Sequence, residues 1–367
     1  MNTTHGTVRR GFEEVRDVFD DIIADSRAGA AFAVVRRGET LVDLWGGIAD
    51  PVSGRPWSSD TVCVLFSGTK GITAAVAAKC SSVLDPDAPA QKHWPEFRRD
   101  DVRVSHVLSH TAGLPYVDGE HDFLDTASAE RILANQEPLW TPGTRVAYHA
   151  ITYGYLADAL IRRATGRSVA AHLRESFARP YGLDLYLGTP PEVDARVARL
   201  VRAPDYRIST FLQDEERRKI VDRMYGALLG SDEVINSERY RRAELAAGSG
   251  VGSARAMATF YDLLAGGSLV PQAALHRATR TWAEGIDAIN DRPVHFGLGF
   301  ELPDPIGTYG PAQVAFGHSG AGGGRHGAWP EAEVGFSFLP AEMRPEDTDD
   351  RANRLLAALH ACLNHRP

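Results

Sequence analysis

Cysteine is scarce in this chain of 367 residues. Cys63, Cys80 and Cys362 are an odd number with no C-x-x-C pair, which argues against a disulfide framework and against a cysteine-bound zinc or redox site. They read as small buried hydrophobes. No run approaches the roughly 20 apolar residues that a membrane-spanning helix needs, and the opening Met1-Asn2-Thr3-Thr4-His5 begins no apolar segment of signal-peptide type. A soluble, cytoplasmic protein with no membrane partner is the expectation. Positive charge is in deficit, with Lys plus Arg at 40 against Asp plus Glu at 48 and a net charge of −8, so nucleic acid is not expected as a partner. Three motifs are also missing. No G-x-S-x-G elbow anchors a Ser-His-Asp triad, no H-E-x-x-H holds zinc, and no G-x-x-x-x-G-K-S/T cradles a phosphate.

The remaining composition, 43% hydrophobic and 24% charged, is that of a compact chain able to bury a large core. No Gly/Ser linker or internal repeat divides it, so two lobes sharing one core are expected. Phe12, Val15, Phe19 and Ile22 recur at helical spacing within 9–26. The β-branched segments 30–37 and 40–46, separated by Gly38 and Glu39, suggest a hairpin. From Gly68 to about Val83 an Ala- and Val-rich run predicts a buried helix with Ser67 at its start as a cap. Helices are expected at 151–165, at 169–178 (closed by Pro180), at 253–264 and at about 351–364, and strands at 295–302, 313–316 and 333–339. The charged stretch 202–245 reads as a peripheral lobe or lid. The fold class is therefore α/β (α+β), an antiparallel sheet completed by distant pieces of sequence. It comprises a sheet lobe of about 1–75 and 247–367 and a mainly helical lobe of 76–246, with a cleft between them.

Chemistry concentrates in three segments. Phe66-Ser67-Gly68-Thr69-Lys70 is an S-x-x-K at the head of the buried helix, where positions three apart share a face and the amine can reach the hydroxyl. A serine needs an adjacent base, and a lysine serves only if burial favours its neutral form. A capping serine followed by a solvated lysine satisfies the same four residues. Tyr148-His149-Ala150 follows the turn Trp140-Thr141-Pro142-Gly143-Thr144. A phenol beside a lysine can share a proton with it, since both have reference pKa values near about 10; a buried, hydrogen-bonded tyrosine is the plainer alternative. Gly317-His318-Ser319-Gly320-Ala321-Gly322-Gly323-Gly324 follows the strand expected at 313–316 and can bring backbone N–H donors close to a ligand. His106 and His110, four apart, and His121 suggest metal ligation only weakly, because no acidic third ligand accompanies them. Neither a metal nor a cofactor is expected.

These segments, in this order, resemble the serine β-lactamase and penicillin-binding-protein superfamily, in the branch of class C β-lactamases and family VIII carboxylesterases. The likeness includes Leu-Ser-His-Thr-Ala-Gly-Leu-Pro at 108–115 and Gly-Ser-Gly-Val-Gly-Ser at 248–253. It implies a β-lactamase-like fold, with Ser67 as nucleophile, Lys70 as proton acceptor, Tyr148 as general acid or base, and the N–H groups of Ser67 and Ala321 as an oxyanion hole. Two positions depart from the lactamase pattern: Ala150 stands in place of an asparagine, and His318-Ser319-Gly320 replaces Lys-Thr-Gly. Both resemble the esterase branch. The implied function is ester hydrolysis through an acyl-enzyme on a small-molecule ester or amide. Transacylation to an amine or alcohol acceptor is the alternative, and β-lactam or D-Ala-D-Ala chemistry ranks below both. His149, His318, Ser319, Gly320 and Arg325 are the expected substrate contacts. Arg325 and His326 face a polar or acidic part of the substrate or belong to a plain surface loop.

Overall fold

The computed structural model describes residues 3–208, 212, 214–229 and 231–364. Strand β1 (Thr4–Val8) leads into helix α1 (Glu13–Ala24), which buries Val15, Phe19, Ile22 and Ile23 on one stripe. Strands β2 (Ala30–Arg36) and β3 (Glu39–Gly46) turn at Arg37 and Gly38, with φ of 50° and 78°. Two successive residues of that hand match the twist of the flanking strands. The Asp262 carboxylate holds the turn by accepting the N–H groups of Arg37 and Gly38, each at 2.8 Å. The turn therefore lies one residue earlier than Gly38 and Glu39.

Short β4 (Cys63–Val64) runs into helix α2 (Gly68–Lys79), and helix α3 (Thr152–Thr165) ends on left-handed Gly166. The helical run from Val169 does not stop at Pro180. It passes through a π-helical stretch, Leu173–Ala178, and ends at Gly182, whose φ of 62° terminates it. Strand β5 (Leu185–Tyr186), helix α4 (Glu215–Tyr225), strand β6 (Val251–Gly252) and helix α5 (Ala254–Ala265) follow. Strand β7 (Pro293–Phe296) is shorter than the expected 295–302, because Gly297 to Phe300 form a turn. Strand β8 (Phe316–Gly320) starts later than the expected 313–316 and takes in the Gly-His-Ser-Gly motif. Strands β9 (Gly324–Trp329) and β10 (Val334–Pro340) and helix α6 (Arg351–Asn364) close the chain.

The main sheet is antiparallel, in the order β1-β3-β2-β10-β9-β8, so its two halves come from opposite ends of the sequence. Alternation along β2 splits its side chains between two cores. Phe32 and Val34 join Phe336 and Phe338 under α1 and α6, whereas Ala31, Ala33 and Val35 face the larger core that includes α2, α3 and α5. Helix α5 lies so close to β10 that a Cβ at Gly335 would sit 2.2 Å from the Ala258 carbonyl oxygen. All three cysteines are free and buried. Among the described residues, no helix is long and apolar enough to cross a membrane.

The charged segment contains α4 and short helical turns, and its Ile208 and Tyr225 line the cleft. Residues 209–211, 213 and 230 of the proposed lid lie outside the described residues. Arg223 joins this segment to the 116–128 stretch: it pairs with Asp118 at 2.8 Å and stacks over the Tyr116 ring at 3.7 Å.

Candidate active site

Ser67 stands where β4 turns into α2. Leu65 donates to the Gly250 carbonyl at 2.8 Å, and Gly68 donates back to the Leu65 carbonyl at 2.9 Å. Phe66 between them is forced to a φ of 46°, a conformation that a bulky side chain tolerates only where its surroundings hold it. This bend leaves the Ser67 hydroxyl in the cleft. Its expected capping role is not seen. Ser67 is itself in helical geometry and makes no side-chain cap bond, because its Oγ is occupied elsewhere. Lys70 Nζ lies 3.1 Å from that oxygen, and the Tyr148 hydroxyl donates to it at 2.8 Å.

Lys70 is fully buried. Its amine donates to the Ala247 carbonyl at 3.0 Å and sits 4.8 Å from the centre of the Tyr148 ring. Burial pulls its pKa down to about 7, with Glu301 pulling the other way. The Gly248-to-Ser253 stretch packs against the neighbouring Thr69: Gly250 donates to Thr69 Oγ1 at 3.0 Å, and the spot where a Cβ would stand at Gly250 lies 2.6 Å from that oxygen. Tyr148 is held through its backbone, whose N–H donates to Asp287 Oδ2 at 2.6 Å, and its ring stacks on Phe296. The phenol pKa is raised well above its usual value, first by burial and then by Tyr225 and Glu301. A half-neutral amine and a protonated phenol thus share one hydroxyl oxygen at neutral pH.

Gly320 and Ala321, at the end of edge strand β8, line the same cleft of about 920 Å³, its open mouth included. A Cβ at Gly320 would come within 2.5 Å of the Leu65 carbonyl oxygen, so only glycine allows the strand end to lie against the Ser67 turn. Ser319 also lines the cleft, and its N–H and hydroxyl donate to Glu301 at 2.8 and 3.0 Å. Arg325 is a further wall residue.

Two expected substrate contacts are not in the cleft wall. His149 is buried, accepts the Leu114 N–H at 3.0 Å on Nε2, and shares its other nitrogen with the Ala147 carbonyl. It braces the 108–115 turn behind the tyrosine. His318 is buried on the α2 side of the sheet, bonded at 2.9 Å to the Ser319 carbonyl, and burial lowers its pKa to about 4. It brings no cation to the cleft. His326 belongs to no surface loop, being buried against Gly68 with Nδ1 at 2.7 Å from Ser337 Oγ. His106 and His110 each accept a backbone N–H, and no group of three or more His, Cys, Asp or Glu among the described residues could hold a metal.

Four polar groups of the site carried no sequence signal: Asp287, Arg292, Glu301 and Glu346. Glu301 accepts from Ser319 and from the Tyr309 hydroxyl at 2.8 Å. Burial opposes its charge, but His318, Arg292 and these donors together bring its pKa down to about 2. Burial raises Glu346 to about 7, against the pull of Arg292 at 3.9 Å.

A mixed α/β fold with an S-x-x-K serine at a helix head, and a tyrosine on the same hydroxyl, defines the class of serine acyl-transferring proteins with β-lactamase-like architecture. The chain belongs to the beta-lactamase family, whose model matches residues 15–361. It is 33% identical over 340 residues to the esterase/beta-lactamase LipL of Mycobacterium tuberculosis, covering 86% of this chain and 77% of LipL. The crystal structure of a penicillin-binding-protein homologue from Caulobacter crescentus superposes with a TM-score of 0.90 at 34% identity, over 98% of this chain and 100% of that one. A family VIII carboxylesterase superposes with a TM-score of 0.89 at 31% identity, over 98% of this chain and all of its own.

Proposed function

We propose that the protein is a serine carboxylesterase acting on small-molecule esters through an acyl-enzyme at Ser67. The observation that carries this reading is the Ser67 oxygen held between Lys70 Nζ at 3.1 Å and the Tyr148 hydroxyl at 2.8 Å in an open cleft. Neutral Lys70 accepts the Ser67 proton as Oγ attacks the ester carbonyl carbon. The N–H groups of Ser67 and Ala321 hold the resulting oxyanion. The carbon–oxygen bond to the alcohol breaks, and the leaving oxygen takes the Tyr148 proton, which the Lys70 ammonium restores. Water then attacks the acyl carbon, giving one proton to the same pair, and Ser67 recovers its own as the acid leaves. The LipL and carboxylesterase likenesses support ester chemistry. Two motif positions weigh against β-lactam or D-Ala-D-Ala chemistry: Ala150 is buried, and His318 is buried and neutral, so neither offers an amide or a cation to the cleft.

Product analysis of a simple alkyl ester, with and without an added amine or alcohol, tests the reading. Free acid as the main product at every acceptor concentration is the expected result. A dominant transfer product would make the protein a transacylase, and turnover of a chromogenic cephalosporin as fast as of esters would overturn the esterase assignment.

A further inference from the structure

The cleft that holds Ser67 and Tyr148 is also walled by charged side chains: Arg292, Arg325, Glu301, Asp304 and Glu346. The acids are engaged. Glu301 accepts from Ser319 and Tyr309, Asp304 accepts the Thr308 N–H at 2.9 Å and hydroxyl at 2.5 Å, and Glu346 lies 3.9 Å from Arg292. Arg325 differs from them. Among the described residues its guanidinium makes no hydrogen bond and no ion pair, and its Nε is buried without an acceptor. A guanidinium keeps its proton, and its Nε–H, shut off from solvent with no acceptor, is costly to leave unpaired.

Its position is set by the sheet. Arg325 lies opposite Ser319 in the β8–β9 register, so the two side chains leave the sheet on the same side, and both line the cleft. The adjacent pair, His318 and His326, turns the other way, toward Gly71 and Gly68 of α2.

We propose that Arg325, with Arg292 in the same wall, forms a carboxylate-binding subsite. The preferred substrates are then esters that also carry a free carboxylate, as in half-esters of dicarboxylic acids. This rests on the ester-hydrolase reading above. The planar guanidinium presents paired N–H donors that match the two oxygens of a carboxylate.

The test compares monoethyl esters of short dicarboxylic acids of graded length with ethyl esters of the neutral acids of equal length, following ethanol release. For at least one length the wild-type protein should favour the half-ester by about tenfold or more in kcat/KM. Arg325→Met should lower that ratio by about tenfold, chiefly through KM, and Arg325→Lys should recover part of it. Turnover of neutral esters with no preference for half-esters, or a preference unmoved by Arg325→Met, would overturn the subsite alone. A stronger preference for an equal-length phosphono ester would overturn the carboxylate assignment. If Arg325→Met does not fold, the wild-type ratio and the Arg325→Lys ratio decide. Failure of both ester series, with no labelling of Ser67, would instead overturn the ester-hydrolase reading.

Discussion

Lys70 should impose an acid limb on activity near pH 7. Its amine normally has a pKa of 10.5, and burial among Ser67, Ala247 and Tyr148 brings it to about 7. A fall of that size raises the neutral fraction at pH 7 by about 1,600-fold. The sign follows from the depressed value: the neutral base is lost as pH falls through about 7, so kcat/KM for a neutral ester should rise about tenfold between about pH 6 and about pH 8 and then level. Glu301 opposes the depression. Glu301→Gln removes its charge while leaving an oxygen to accept from Ser319, so the limb should move to lower pH. Glu346 also titrates at about 7 and lines the cleft, so Glu346→Gln is the control and should leave the limb in place. Full pH profiles of kcat/KM for the three proteins are the assay. A flat profile across that range, or a limb that follows Glu346 and ignores Glu301, would refute Lys70 as the base.

Tyr148→Phe removes the donor at 2.8 Å from Ser67 Oγ, and kcat for an alkyl ester should fall about a hundredfold or more, as steady-state kinetics would measure. Asp287→Ala removes the carboxylate that accepts the N–H groups of Tyr148, Ile289 and Asn290. It should lower kcat with less effect on KM, and Asp287→Asn, which keeps an acceptor, should restore part of the loss. Gly335→Ala should destabilise the fold by about 1–3 kcal/mol in urea denaturation. The added carbon meets the backbone of α5 at 2.2 Å from the Ala258 oxygen and 2.3 Å from the Asp262 nitrogen, where no flexible side chain can give way.

Much of the scaffold was legible because its signals are local. Helical spacing marks α1, and the β-branched pair 30–37 and 40–46 marks the first hairpin, displaced by one residue because Arg37 takes the left-handed position. The Ser67–Lys70 spacing also reads directly, since one helical turn carries it. Less legible was the direction in which side chains point. The strand was expected to end at Phe316, yet it runs on through Gly320, and its alternation sends His318 inward while Ser319 faces the cleft. Local context could not expose Asp287 or Glu301. Their bonds to Tyr148 and Ser319 cross 139 and 18 positions of sequence, and no short motif encodes such a meeting. His149 misled for the same reason: its neighbour Tyr148 faces the nucleophile, but its own ring is taken by Leu114.

The most direct measurement is intact-protein mass after brief exposure to an activated ester and to a fluorophosphonate, followed by peptide mapping. One adduct on the peptide containing Ser67, longer-lived in Tyr148→Phe and missing in Ser67→Ala, is the expected result. An adduct on another residue, or ester hydrolysis by Ser67→Ala at the wild-type rate, would contradict a covalent intermediate at this serine.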